Sequence, residues 1–423
     1  MNSSLEIQNN RSFPILIGLN YLALLIIALL WTNKNLVEPN IILRILFTIL
    51  FALPLFKYPH LAPAIVTIFV SIRLFSVAPF GYLPSAPLFY FILGLAIFIF
   101  HPKNLKEIDN EKIRFLILLP IILFSNAVNF NLKYDFIVYL CLIYIMGHFI
   151  KTKAHVKLIE IGFVIVTFSL SVYALVFLNE FAVEIYGSNF NRVYWTDPNY
   201  LGSVIAIGIV ISFYYIINNE FKKYFYRIFV ISTFVLGIIT LGLLASRGAF
   251  IAIILPLIYI IFTKNKSIHK LAIYLVLGAI FIYIISLSNI FGGLIDRFND
   301  DSISSGSGRI FIWEKSLSSF SNSDPFTIFF GGGTDYSNEL TGKSIGRKIF
   351  SPHNNFLAIL YDYGIIGLIS FLFIFYKLVK EKLADSMAIA LIMLLGVVSL
   401  TLVPLMYLPF WLLILTISKR PNT

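Results

Sequence analysis

The 423-residue sequence is poor in the groups that water-soluble proteins carry on their surfaces. Charged residues make up only 13% of it, against about 25% in a soluble domain. A water-soluble fold could not hide the apolar excess that remains, so the solvent for most of this chain is lipid. Cysteine occurs once, as Cys141 inside an apolar run. That excludes a disulfide framework and leaves a small buried hydrophobe. No Rossmann fingerprint, P-loop, zinc ligand set, internal repeat or heptad pattern is present. The triplet Gly331-Gly332-Gly333 has no Lys-Ser/Thr after it and reads as a flexible turn rather than a phosphate cradle. Net charge is +11, yet the cations sit in short segments between apolar runs rather than along one face, which argues against a nucleic-acid partner.

What the chain has is hydrophobic length. Apolar residues reach 59%, Phe occurs 42 times and mean hydropathy is +0.88. A bilayer core takes about 20 apolar residues per helix. On that measure the chain is an all-α polytopic membrane protein with about 14 transmembrane helices (12–14). Spans are expected near 13–31, 41–56, 61–76, 86–100, 113–129, 134–150, 158–178, 200–217, 227–244, 249–262, 269–290, 355–376, 386–402 and 405–418. The first run, from Phe13 to Trp31, has no A-x-A cleavage site after it and reads as a retained helix rather than a removed signal peptide. Arg44 and Arg73 fall within early spans. Four regions follow: N-terminal helices over 1–178; helices over 179–290 with a short external loop at 179–199; a long loop over 291–354; and C-terminal helices over 355–423.

An even span count puts both termini on one side. Loops on that side collect Lys57, Lys103, Lys106, Lys151, Lys153, Lys222, Lys264, Lys377 and their neighbours, while short loops opposite hold only Lys34, Lys133, Arg192 and Arg247. The positive-inside rule makes the crowded side cytoplasmic. The long loop is then external, and in a bacterium periplasmic. Its aromatic patches, Ile310 to Trp313 and Phe326 to Phe330, predict an ordered segment. Ile310, Phe311 and Trp313 are expected on one face of a short surface helix.

The residues suited to chemistry gather on that external face. Arg247, in Ser246-Arg247-Gly248 between two apolar runs, is either an arginine snorkelling to the interface or an inward guanidinium whose fork matches phosphate. Arg309 and Arg347 are further anion candidates, with a salt bridge to a nearby Asp as the alternative for each. Arg192 precedes Tyr194 and Trp195, which suit either an interfacial belt or a platform for a sugar ring. Asp197-Pro198-Asn199 marks a turn into the eighth span. Ser351-Pro352-His353-Asn354-Asn355 reads as a helix opening with Ser351 as N-cap, Pro352 at N1 and His353 in the first turn. A helix N-terminus disfavours imidazolium, and a neutral imidazole can serve as a general base; the alternative is a histidine that only helps cap the helix.

Ser246-Arg247-Gly248, Asp197-Pro198-Asn199, Gly308-Arg309-Ile310 with Trp313, and His353-Asn354-Asn355-Phe356-Leu357 followed by Gly364 and Gly367 together resemble the O-antigen polymerase and O-antigen ligase superfamily. The likeness runs from about residue 180 to 375. It implies a glycosyltransferase of the bacterial inner membrane that works on undecaprenyl-diphosphate-linked oligosaccharide at the periplasmic face, with no cofactor, nucleotide sugar or metal. Under it, Arg192, Arg247, Arg309 and Arg347 would bind the diphosphate, and His353 and Arg247 would be catalytic. Tyr194, Trp195 and Asn354 would touch glycan. The lipid bilayer and a chain-length regulator protein complete the implied partners. Span number and aromatic content favour the polymerase over the ligase, which transfers polysaccharide to lipid A core. A flippase for the same lipid-linked sugars ranks lower, since transporters show paired halves and broken helices at midplane. A structural membrane protein without catalysis is the remaining class.

Overall fold

In a computed structural model, the residues described are 58–72, 94–99, 117–130, 135–176, 182–184, 191–193, 197–264, 292, 294–295 and 308–421. The spans expected near 13–31, 41–56 and 269–290 lie outside them, as do Arg44, Arg73, Tyr194 and Trp195. The described residues are mostly helical: α1 (Ala62–Ile72), α2 (Leu118–Val128), α3 (Asp135–Phe149), α4 (Lys153–Val176), α5 (Pro198–Ile217), α6 (Tyr224–Leu244) and α7 (Arg247–Lys264). They are followed by α8 (Arg309–Ser321), α9 (Pro325–Phe330), α10 (Tyr336–Ser344), α11 (Asn355–Lys382), α12 (Ser386–Thr401) and α13 (Leu408–Lys419).

Among the described residues, α4, α5, α6, α7 and α11 are long and apolar enough to cross a membrane. One short hairpin interrupts the helical pattern. Strands β1 (Ala182–Glu184) and β2 (Asn191–Val193) pair antiparallel, with Val183 opposite Arg192.

The core lies among α4, α5, α7 and α12. Helix α5 is the most enclosed span; Val204, Ile205, Ala206, Ile207, Ile209 and Val210 are all fully buried. Small residues let its neighbours approach closely, the usual device for helix association in lipid. A Cβ on Gly208 would collide with Thr167 of α4. One on Gly202 would press on Ala249 and Ser246, at 2.9 and 3.2 Å. The second contact holds the starts of α5 and α7 side by side.

Residues 308–354 of the long loop fold as three helices against α11. The supposed surface face of α8 needs correction. Arg309, Trp313, Ser316 and Phe320 repeat at helical spacing and form its inner side. Ser316 Oγ lies 3.0 Å from Tyr361 Oη, and the Phe320 and Tyr361 rings are 5.0 Å apart. Ile310, Phe311 and Leu317 stay exposed, without Trp313.

The glycine triplet is a second correction, because it is not a free turn. Helix α11 breaks at Gly364, which has φ +68°. The break frees carbonyls that would otherwise take helical hydrogen bonds. Gly332 N–H donates to Tyr361 O at 3.0 Å and Gly333 N–H to Asp362 O at 2.9 Å. Ser125 Oγ of α2 also donates to Asp362 O, at 2.9 Å. Backbone meets backbone here: a Cβ on Gly331 would strike Asp362, and one on Gly364 would strike Phe329.

Candidate functional site

Three helix starts converge at one end of the bundle. Asp197 caps α5, accepting from Asn199 N–H at 2.9 Å, with Pro198 at the first helical position. The Asn199 side chain reaches across to α7 and accepts from Ser246 Oγ at 3.1 Å. The Asp-Pro-Asn and Ser-Arg-Gly segments, 47 positions apart, therefore form one hydrogen-bonded unit. Arg247 opens α7 directly beside it.

The third start is α11, and its opening differs from the sequence expectation. Asn354, not Ser351, is the N-cap; its Oδ1 accepts from Phe356 N–H at 3.0 Å and Leu357 N–H at 3.2 Å. Asn354 thus has a backbone-capping task that explains it without glycan contact. His353 precedes the cap with φ +48°, rather than occupying the first turn. The Ser351 hydroxyl instead accepts from His353 N–H, at 3.2 Å. Trp313 Nε1–H donates to Pro352 O at 2.8 Å, so α8 holds the histidine loop from outside.

Charges meet at this point. Burial lowers the proton affinity of Arg309, the charge of Arg247 lowers it further, and the Asp197 carboxylate opposes both. His353 follows the same logic. Burial is the largest influence lowering its pKa, Arg309 adds to it, and Asp197 pulls the other way. Burial and the Arg309 charge, rather than a place in the first helical turn, disfavour its protonated form. Asp197, Arg247, Arg309 and His353, from four separate segments, thus sense one another.

The other candidates are placed differently. Arg347 is exposed, its guanidinium 4.9 Å from the Phe350 ring centroid. Phe350 in turn meets the His353 ring edge-on at 5.8 Å. Arg347 therefore sits at the rim, one aromatic ring away from the histidine. The backbone of Arg192 lies in β2, opposite Val183.

A cavity of about 350 Å³ opens beside His353 and Asp197. Thr334, Asp335, Ser337 and Asn338 give it a polar wall, and Phe136, Tyr139 and Tyr407 an aromatic one. Sequence reading passed over this polar wall. The available signal was the run Thr334-Asp335-Tyr336-Ser337-Asn338, dense in small polar residues and directly after the glycines. Asp197 was seen only as a turn residue, because capping accounts for it without any reference to charge.

Fold and site together define a multi-pass helical membrane protein with two half-buried arginines, an imidazole and a carboxylate within electrostatic reach of one another. Residues 232–372 match the family model described as O-antigen ligase. The likeness is confined to this segment and does not separate polymerase from ligase. No curated protein matches the chain. Arg247, Arg309, Arg347 and His353 lie inside the matched segment; Asp197, Phe136, Tyr139 and Tyr407 lie outside it.

Proposed function

We propose that this protein joins undecaprenyl-diphosphate-linked repeat units at the periplasmic face, as an O-antigen polymerase. The observation that carries the reading is the placement of half-buried Arg309 close enough to Arg247 to feel its charge, and close enough to His353 to impose its own. Bringing two cations together in low dielectric is unfavourable by itself. An anion bound between them reverses the sign, and the guanidinium fork suits diphosphate oxygens.

In this reading His353, held neutral, takes the proton of an acceptor hydroxyl. The oxygen attacks the anomeric carbon of the donor sugar. The bond from that carbon to the diphosphate oxygen breaks, and the electron pair leaves with the diphosphate. Arg247 and Arg309 stabilise the charge that develops there; Arg192 and Arg347 would extend the same field toward the carrier. A single displacement inverts the anomeric centre, so linkage analysis of donor and product should show opposite configurations.

The description of the matched family favours a second reading, transfer of finished polysaccharide to lipid A core. Deleting the gene and resolving surface polysaccharide on a gel tests both. Single-repeat product supports the polymerase. Undecorated core with accumulating lipid-linked polymer supports the ligase, and an unchanged ladder removes both. Within the reading, Arg247→Ala is expected to abolish chain elongation while the protein still inserts into the membrane. Normal long-chain polysaccharide in that strain would remove the central site.

A further inference from the structure

The cavity beside His353 differs in charge from the arginine pair. Among the described residues, two carboxylates line it, Asp197 and Asp335, and no lysine or arginine does. Arg247 and Arg309 are not among the residues that line it. His353 belongs to both regions: it lines the cavity and feels the Arg309 charge. A base at the border of two compartments can take a proton from a group in one while charge develops in the other.

The cavity wall has the chemistry that sugars need. The apolar C–H faces of a sugar ring stack on aromatic side chains, and its hydroxyls donate to carboxylates and amide oxygens. Phe136, Tyr139 and Tyr407 supply the first; Asp335 and Asn338 supply the second. Ser337 lines the cavity, and its N–H donates to Asp362 Oδ1 at 2.6 Å. The volume, about 350 Å³, lies within the range of small-molecule sites, about 300–1,000 Å³.

We propose that this cavity is the acceptor-sugar subsite, and that Asp197 and Asp335 make it select a ring carrying no negative charge. A neutral or amino sugar fits; a uronic acid is repelled by like charge. The inference deepens the transferase reading and rests on it for the word acceptor.

The test uses the full chain in lipid nanodiscs and saturation-transfer NMR with three probes: methyl glucoside, methyl glucosaminide and methyl glucuronide. The first two should take up saturation, with the glucuronide at least about tenfold weaker. Asp335→Asn should raise the glucuronide signal several-fold; Asn, like Asp, accepts the left-handed backbone at this position, φ +69°. Asn338→Asp, which adds a carboxylate, should lower the glucuronide signal and spare the glucoside. Equal response to all three glycosides, no response to any, or a glucuronide signal indifferent to both variants would overturn the proposal. Arg309→Ala should lose transfer from a lipid-diphosphate donor yet keep glucoside binding. If wild-type protein transfers nothing while the three probes rank as stated, the transferase reading falls and a charge-selective sugar site stands.

Discussion

At His353, two charges pull the imidazole in opposite directions. Burial and Arg309 lower its pKa; Asp197 raises it. The free base therefore persists below the ordinary titration point of about 6.5. Activity that depends on it should hold as pH falls through that value and fail only at lower pH. Replacing Asp197 with Asn removes the upward pull, so the acidic limb of kcat/KM against pH should move further down. A limb that stays put or moves up would separate Asp197 from the histidine. His353→Ala should lower kcat by about 10²- to 10⁴-fold, the usual contribution of a positioned base, and leave donor affinity unchanged. An unaltered rate in a purified assay would strip His353 of that role. The residue types were legible in the sequence, because arginine and histidine between apolar runs stand out. Their mutual influence was not, since Asp197, Arg247, Arg309 and His353 are separated by long stretches of chain.

Among the elements, the broken helix α11 and the segment packed on it set the position of the histidine loop. The Asp362 side chain at the break accepts from Ser337 N–H of α10 at 2.6 Å. Thr334 Oγ1 lies 3.0 Å from Asn126 Oδ1 of α2 and 2.9 Å from Tyr363 Oη. These bonds tie α2, α10 and α11 together under the cavity. Gly364→Ala combines a positive φ with a collision against the Phe329 backbone, and should destabilise by at least about 2 kcal/mol. Thermal unfolding in detergent measures this, and an unshifted transition would mean that the backbone seam is dispensable. Trp313→Phe keeps an aromatic ring and loses the bond to Pro352 O, worth about 1 kcal/mol. It should reduce kcat several-fold with the fold intact; an unchanged kcat would show that α8 does not position His353. The glycines at 331–333 and 364 were visible as a pattern, but their meeting was not. A glycine run reads the same whether it bends freely or receives another backbone.

Across the whole molecule, the end opposite the site is held by buried charge. Arg420 pairs with Glu160 of α4, and its Nε donates to Asp385 Oδ2 at the start of α12, at 2.5 Å. Tyr215 Oη of α5 donates to Glu160 at 2.5 Å. Arg420 is 8% exposed and Asp385 is fully buried. Arg420→Ala would strand two carboxylates and should cost about 3–5 kcal/mol, read by thermal unfolding; an unchanged midpoint would show that water already reaches this end. The proposed orientation puts this end in the cytoplasm. With Cys141 replaced by Ala, a cysteine at exposed Glu339 should be labelled by an impermeant maleimide in cells with a permeabilised outer membrane. Labelling only after the inner membrane is opened would invert the topology.

The sequence alone determined that the chain lives in lipid and that its spans are helical. These follow from composition and period, which act locally and need no partner. It also marked the arginines and His353, because a charged group beside an apolar run is expensive wherever it goes. Only the tertiary structure decided that Asn354 rather than Ser351 caps α11, that the glycines receive a helix break, and that Asp197 stands with the arginines. Each depends on which segments meet in space, and hydrophobic spans of similar composition carry little local information about which neighbours they choose.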